Sequence, residues 1–110
     1  MTTIAITARL EIEPTRVEDY LLAAEGAIAG TRAEPGCRLY AFARDIQISN
    51  VIWISEEWDS DAALSEHLRS SHITAFLKKT ADIELLSLDV RKYAVSAIGT
   101  VEPPVVAEAV

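Results

Sequence analysis

From Thr3 to Glu11 the chain alternates apolar and polar positions, with Ile4, Ile6, Ala8 and Leu10 facing one way and Thr3, Thr7 and Arg9 the other. A period of two predicts a half-buried strand. Glu13-Pro14 ends it, because proline has no amide to extend a ladder. Beyond Pro14 the period lengthens. Val17, Leu21, Ala24 and Ile28 are spaced 4, 3 and 4, the apolar stripe of a helix, and Thr15 with Glu18 makes a capping box at its start. The small residues Ala23, Ala24, Ala27 and Ala29 predict a close approach of this helix to the sheet.

Ala33-Glu34-Pro35-Gly36 breaks the helix. Cys37 to Arg44 then reads as a strand apolar on both parities, with Cys37, Leu39, Ala41 and Ala43 on one and Tyr40 and Phe42 on the other. A polar connection, Asp45 to Asn50, leads to Val51–Trp58, and the two runs are predicted hairpin partners. Asp59 or Ser60 caps a short helix through about Arg69, with Ala63, Leu64, His67 and Leu68 inward. Ser70-Ser71 interrupts it. Ser71 caps a third helix whose core positions are Ile73, Phe76 and Leu77, with Lys78-Lys79 at its C-terminal end. Leu85 to Val95 is the last strand, its central Asp89, Arg91 and Lys92 implying an exposed or paired portion. Residues 1–96 make one domain; 97–110, with Gly99 and Pro103-Pro104, form a C-terminal tail or a dimer arm pinned by Val105 and Val106.

The order β-α-β-β-α-α-β is that of an α+β, ferredoxin-like domain with an antiparallel sheet and its second helix broken in two. Its helices cover one sheet face. The other is expected to display Tyr40, Phe42 and much of the third strand, which is too apolar for water, so a homodimer packed sheet to sheet is predicted.

Composition narrows the function. A chain of 110 residues holds one core. The net charge of -7, with no basic cluster longer than Lys78-Lys79 or Arg91-Lys92, argues against a nucleic acid partner. The lone Cys37 makes no internal disulfide, residues 1–12 hold no leader-like apolar run, and no window approaches the roughly 20 apolar residues of a membrane span. A cytoplasmic protein without a membrane partner is expected.

Candidate chemistry gathers at one corner. Glu56 and Trp58 share a strand parity, about 7 Å apart; His67 lies on the inward side of the second helix and His72 opens the third. An imidazole, with an ordinary pKa near 6.5, suits a general base. Plainer roles stand beside this one: His67 as a donor to Glu56 or a carbonyl, His72 in a cap, Trp58 as core, Tyr40 as cavity wall or dimer seam. A metal is not expected, since His67 and His72 are five apart across a break rather than one helical turn apart, although with Glu56 they have the composition of a facial triad for iron.

Three stretches resemble the antibiotic biosynthesis monooxygenase superfamily, in particular its small quinol monooxygenases: Glu34-Pro35-Gly36-Cys37 with Tyr40 after it, Glu56-x-Trp58-x-Ser60-x-x-Ala63-Leu64-x-x-His67, and Ser70-x-His72 with Phe76. The resemblance spans residues 3 to 95. It implies a dimeric α+β barrel, each subunit holding a pocket between sheet and helices. It further implies oxidation of a quinol, phenolic or other enolisable small molecule by molecular oxygen, with no flavin, haem, metal or other cofactor. The protein's share is then proton removal, orientation and stabilisation of negative charge. On this reading His72 or His67 is the catalytic base, and Trp58, Glu56, Tyr40, Leu64 and Phe76 bind substrate.

The chain departs from the pattern in places. Ile46 to Asn50 lacks the proline common there, and of the Asn, Trp, Tyr and Arg group of the polyketide oxygenases only Trp58 is placed, which argues against aromatic polyketides. The haem-degrading branch has its iron ligand where this chain has Leu77, Lys78 and Lys79. Open at this point are a cofactor-independent oxygenase, an isomerase of a small carbonyl compound, and a non-catalytic ligand-binding dimer.

Overall fold

The computed structural model describes residues 2–106. Its elements are β1 (Thr3–Ile12), a one-turn 3₁₀ helix (Pro14–Arg16), α1 (Val17–Arg32), β2 (Cys37–Arg44), β3 (Val51–Trp58), α2 (Asp61–Leu68), α3 (Ser71–Lys79) and β4 (Leu85–Val95). The strands pair antiparallel in the order β2-β3-β1-β4. This is the expected ferredoxin-like α+β topology.

The alternation on β1 places Ile4, Ile6, Ala8, Leu10 and Ile12 in the core. Their register partners on β3, Trp58, Glu56, Ile54 and Ile52, share that face. Against it α1 lays Val17, Tyr20, Ala24, Ala27 and Thr31. Leu21 and Ile28, expected on the central stripe, flank it, because Tyr20 turns inward and meets Phe76 edge-on at 5.4 Å. Burial pushes the Tyr20 phenol up to about 12.

The sheet does not close into a barrel, contrary to expectation. It is an open four-stranded sheet with β2 and β4 at its edges, and closed barrels need more strands, about eight in common small examples. The two sides of β2 also differ from expectation. Tyr40 and Phe42 pair with Glu56 and Ile54 and so face the helices, while Leu39, Ala41 and Ala43 lie opposite. A register shift between Cys37 and Leu39 is the cause: one extra residue in a strand reverses which side the following residues occupy.

Local details differ too. The capping box does not form, since Thr15 donates to Glu13 and Glu18 pairs with Arg44. Ser60 caps α2 by accepting from Ala63 N at 3.1 Å, but α3 is capped by Ser70 rather than Ser71. Leu68 and Leu77, expected inward, are exposed. β4 is exposed along most of its length. Residues 97–106 have no regular structure, and Val101, Val105 and Val106 lie in solvent; the end of the expected tail, 107–110, lies outside the described residues. Among the described residues no helix is long and apolar enough to cross a membrane.

Candidate functional site

Sheet register builds the corner. Cys37 pairs with Trp58, and Asp59 N donates to Gly36 O at 2.9 Å, so the turn after α1 lies beside the end of β3, where α2 begins. A Cβ on Gly36 would stand 2.4 Å from Ala63 Cβ; glycine there lets α2 seat against the turn. That seating brings His67 over the sheet and holds it beside Glu34.

His67 is the most enclosed titratable side chain of the corner. Its ring lies 4.5 Å from that of Trp58, tilted 36°, and 5.3 Å from Tyr40. The Ser70 turn then starts α3 at a new angle, and His72 reaches back to the same place, its ring 6.2 Å from that of His67. The break lets two histidines five residues apart, a spacing that argued against a shared metal, reach the same place. Gly30 of α1 completes the seat of His72: a Cβ there would stand 2.6 Å from Cγ and 2.9 Å from Nδ1.

Both imidazoles meet one carboxylate oxygen. Glu34 Oε2 lies 2.8 Å from His67 Nδ1 and 2.8 Å from His72 Nε2. With neutral rings each nitrogen donates, which fixes opposite tautomers and leaves His67 Nε2 and His72 Nδ1 as lone-pair acceptors. Side-chain exposure falls from 23% at His72 to 16% at Glu34 and 3% at His67. His72 is therefore the ring with access to solvent.

Glu56 does not join the histidines. Its Oε1 accepts from Trp58 Nε1 at 2.9 Å, and burial raises its pKa above the ordinary carboxylate range, offset in part by that bond and by His67. Tyr40 is buried against Trp58 and Phe42. Burial, with the charge of Glu56, drives its phenol pKa up. Leu64 packs with Trp58 and Tyr40 in one core cluster, while Phe76 sits in the other between Tyr20 and Phe42. Of the residues expected to line a pocket, His72 and Phe76 reach a cleft of about 140 Å³ between α1 and α3, completed by Ala23, Gly26, Ala27, Ala75 and Lys79.

The residue the sequence reading did not assign is Glu34. It appears there only in a helix-breaking turn and in the turn motif that carries the family resemblance, with no role in the site. The available signal was a carboxylate in the turn that leads into the strand whose first residue pairs with Trp58. Chemically, a carboxylate between two imidazoles holds their tautomers and orients both rings.

Comparison with known proteins agrees with the fold. The chain is 25% identical to an uncharacterized protein of Synechocystis over 97 residues, 88% of this chain, and it spans 66% of that relative's length. It is 26% identical to YcnE of Bacillus subtilis over 87 residues, 79% of this chain and 92% of that protein. A crystal structure from Pseudomonas aeruginosa superposes with a TM-score of 0.79 at 25% identity, covering 88% of this chain and 97% of the other. Residues 3–79 match the antibiotic biosynthesis monooxygenase model. That span runs from β1 through α3 and includes Glu34, His67 and His72, and by it the chain belongs to the antibiotic biosynthesis monooxygenase family, which is named for an oxidoreductase activity.

Proposed function

We propose that the protein is a cofactor-independent monooxygenase of a quinol, phenolic or other enolisable small molecule, with His72 as base. The observation that carries this is the single Glu34 oxygen holding both imidazoles at 2.8 Å, with the outer ring lining a cleft. His72 Nδ1 takes the substrate proton, and Glu34 and His67 stabilise the resulting imidazolium. The deprotonated substrate is electron-rich enough to reduce oxygen: one oxygen atom enters a substrate carbon and the other leaves as water. Lys79, on the same cleft, offers a positive charge to the anion. Trp58, Tyr40, Glu56 and Leu64 act from behind, fixing His67, and Phe76 forms part of the cleft floor.

The working form is a cytoplasmic homodimer. Leu39, Trp53 and Tyr93 lie half-exposed on the face away from the helices, apolar area that a second copy would cover.

Oxygen uptake with a panel of quinols and phenols, in metal-free protein, tests the activity. His72→Ala is expected to lower kcat by about 10²–10⁴-fold with the fold retained. Full turnover in that variant removes the base, and product formed without oxygen replaces the oxygenase with an isomerase.

A further inference from the structure

We propose that Glu34, His67 and His72 form a binding site for one divalent first-row transition-metal ion, through Glu34 Oε2, His67 Nδ1 and His72 Nε2. These three donor atoms lie within 4.8 Å of one another, and the oxygen is 2.8 Å from each nitrogen. Nitrogen and oxygen ligands bonded at about 2.0–2.2 Å to one ion stand about 2.9–3.4 Å apart in octahedral or tetrahedral arrangements. The two nitrogen–oxygen edges need to open by up to about half an ångström, the two nitrogens, within 4.8 Å of each other, would have to draw in to the same spacing, and no ring has to turn over.

The donor set is informative. Two imidazoles and one carboxylate suit zinc and the late first-row ions, and disfavour magnesium and calcium, which prefer all-oxygen cages. Spacing along the chain is no obstacle, because the three ligands come from three places, the turn after α1, the end of α2 and the start of α3.

Charge points the same way. The ion-pair partners of Glu34 among the described residues are the two imidazoles. Arg32, two residues earlier, is turned away to donate to Tyr40 O. Glu56 adds a second carboxylate close enough for Glu34 to act on its ionisation. A bound cation would supply this largely enclosed carboxylate with a fixed countercharge.

The surroundings resemble a held site with one open side. His67 is clamped by the Trp58 and Tyr40 rings and His72 by Gly30, so ligand order is supplied before binding. The exposure of His72 leaves coordination positions for water or a small ligand. Ligation requires each ring to move its remaining proton to the other nitrogen, from Nδ1 to Nε2 in His67 and from Nε2 to Nδ1 in His72.

The test is a metal titration of chelator-treated full-length protein, with cobalt(II) followed by its visible absorption and zinc by calorimetry. One equivalent is expected to saturate at micromolar concentration, with binding weakening as acid protonates the rings. His72→Ala and Glu34→Gln should each weaken it at least about tenfold while circular dichroism stays unchanged. No saturable binding up to about 100 μM, or equal affinity in both folded variants, overturns the site. Should the variants fail to fold, zinc must still exchange the protonated and bare nitrogens of both rings in the wild-type ¹⁵N spectrum, and an unaltered spectrum overturns it. The titration involves no turnover, so its failure leaves the oxygenase reading standing, and an inactive protein leaves the metal site standing.

Discussion

The two faces of the sheet obey one alternation rule and end differently. On the helix side, Ile4, Ile52 and Trp58 are sealed; Trp58 pairs with Glu56 and both histidines pair with Glu34, while the buried Thr31 hydroxyl has no hydrogen-bond partner among the described residues. On the outer side a broad cleft of about 390 Å³ is lined by Thr7, Arg9, Trp53, Asp89, Arg91 and Tyr93. Its charges are satisfied within the surface, Arg9 lying 5.9 Å over the Trp53 ring and Arg91 pairing with Asp89 at 3.2 Å. The chain seals the first face over β1 to β3 but leaves Leu88 and Val90 of β4 exposed on it, and it leaves the second face for solvent or another molecule. Packing and hydrogen bonding fix the inner corner; the outer face gains little from any one residue.

The two tryptophans put that difference to the test most strongly. Trp58→Ala should cost about 3–5 kcal/mol in urea unfolding, as truncation of a buried large side chain does. Trp53→Ala, at 37% exposure, should cost under about 1 kcal/mol in the separated subunit. Equal losses would erase the distinction between the faces.

Association sharpens the comparison next. Trp53→Glu sets a charge on the outer face, where the proposed dimer would bury it, and should raise the dimer dissociation constant at least about tenfold in sedimentation with the subunit still folded. Wild-type protein that sediments as a monomer at micromolar concentration would leave the outer face to solvent.

The smallest effect concerns Glu56. Its folded-state pKa is raised, chiefly by burial, so the stability its protonated form contributes is present below the unfolded value near 4.3 and lost as pH rises through the folded value. Glu56→Gln retains an oxygen for Trp58 Nε1 and removes the buried charge. Its melting temperature should exceed that of wild type at pH 7, with the gap closing below about pH 4. A gap that widens in acid would mean that the folded state does not raise the Glu56 pKa.

Much of this architecture is legible in residue order. Alternation on β1, the β2–β3 hairpin, the Ser60 cap and the break at Ser70-Ser71 all follow from local rules that the structure obeys. The side taken by Tyr40 and Phe42 is not, because both parities of β2 are apolar and a register shift after Cys37 decides the matter. His67 and His72 are identifiable as two histidines in one short stretch. Their shared partner is not, since Glu34 lies 33 and 38 residues away and reaches them only through the pairing of Cys37 with Trp58 and the close seat of Ala63 on Gly36. Glu56 was the nearer carboxylate in sequence, yet the indole of Trp58, two residues along the same face, claims it.

Glu34 binds two imidazoles as one unit, and the chain has only two histidines, so ¹⁵N spectroscopy of the rings reads this pairing directly. In metal-free protein at mildly alkaline pH, His67 should carry its proton on Nδ1 and His72 on Nε2, both slow to exchange, and Glu34→Ala should abolish that slow exchange while the fold persists. Two rings in the same tautomer, exchanging freely and indifferent to Glu34→Ala, would contradict the shared carboxylate.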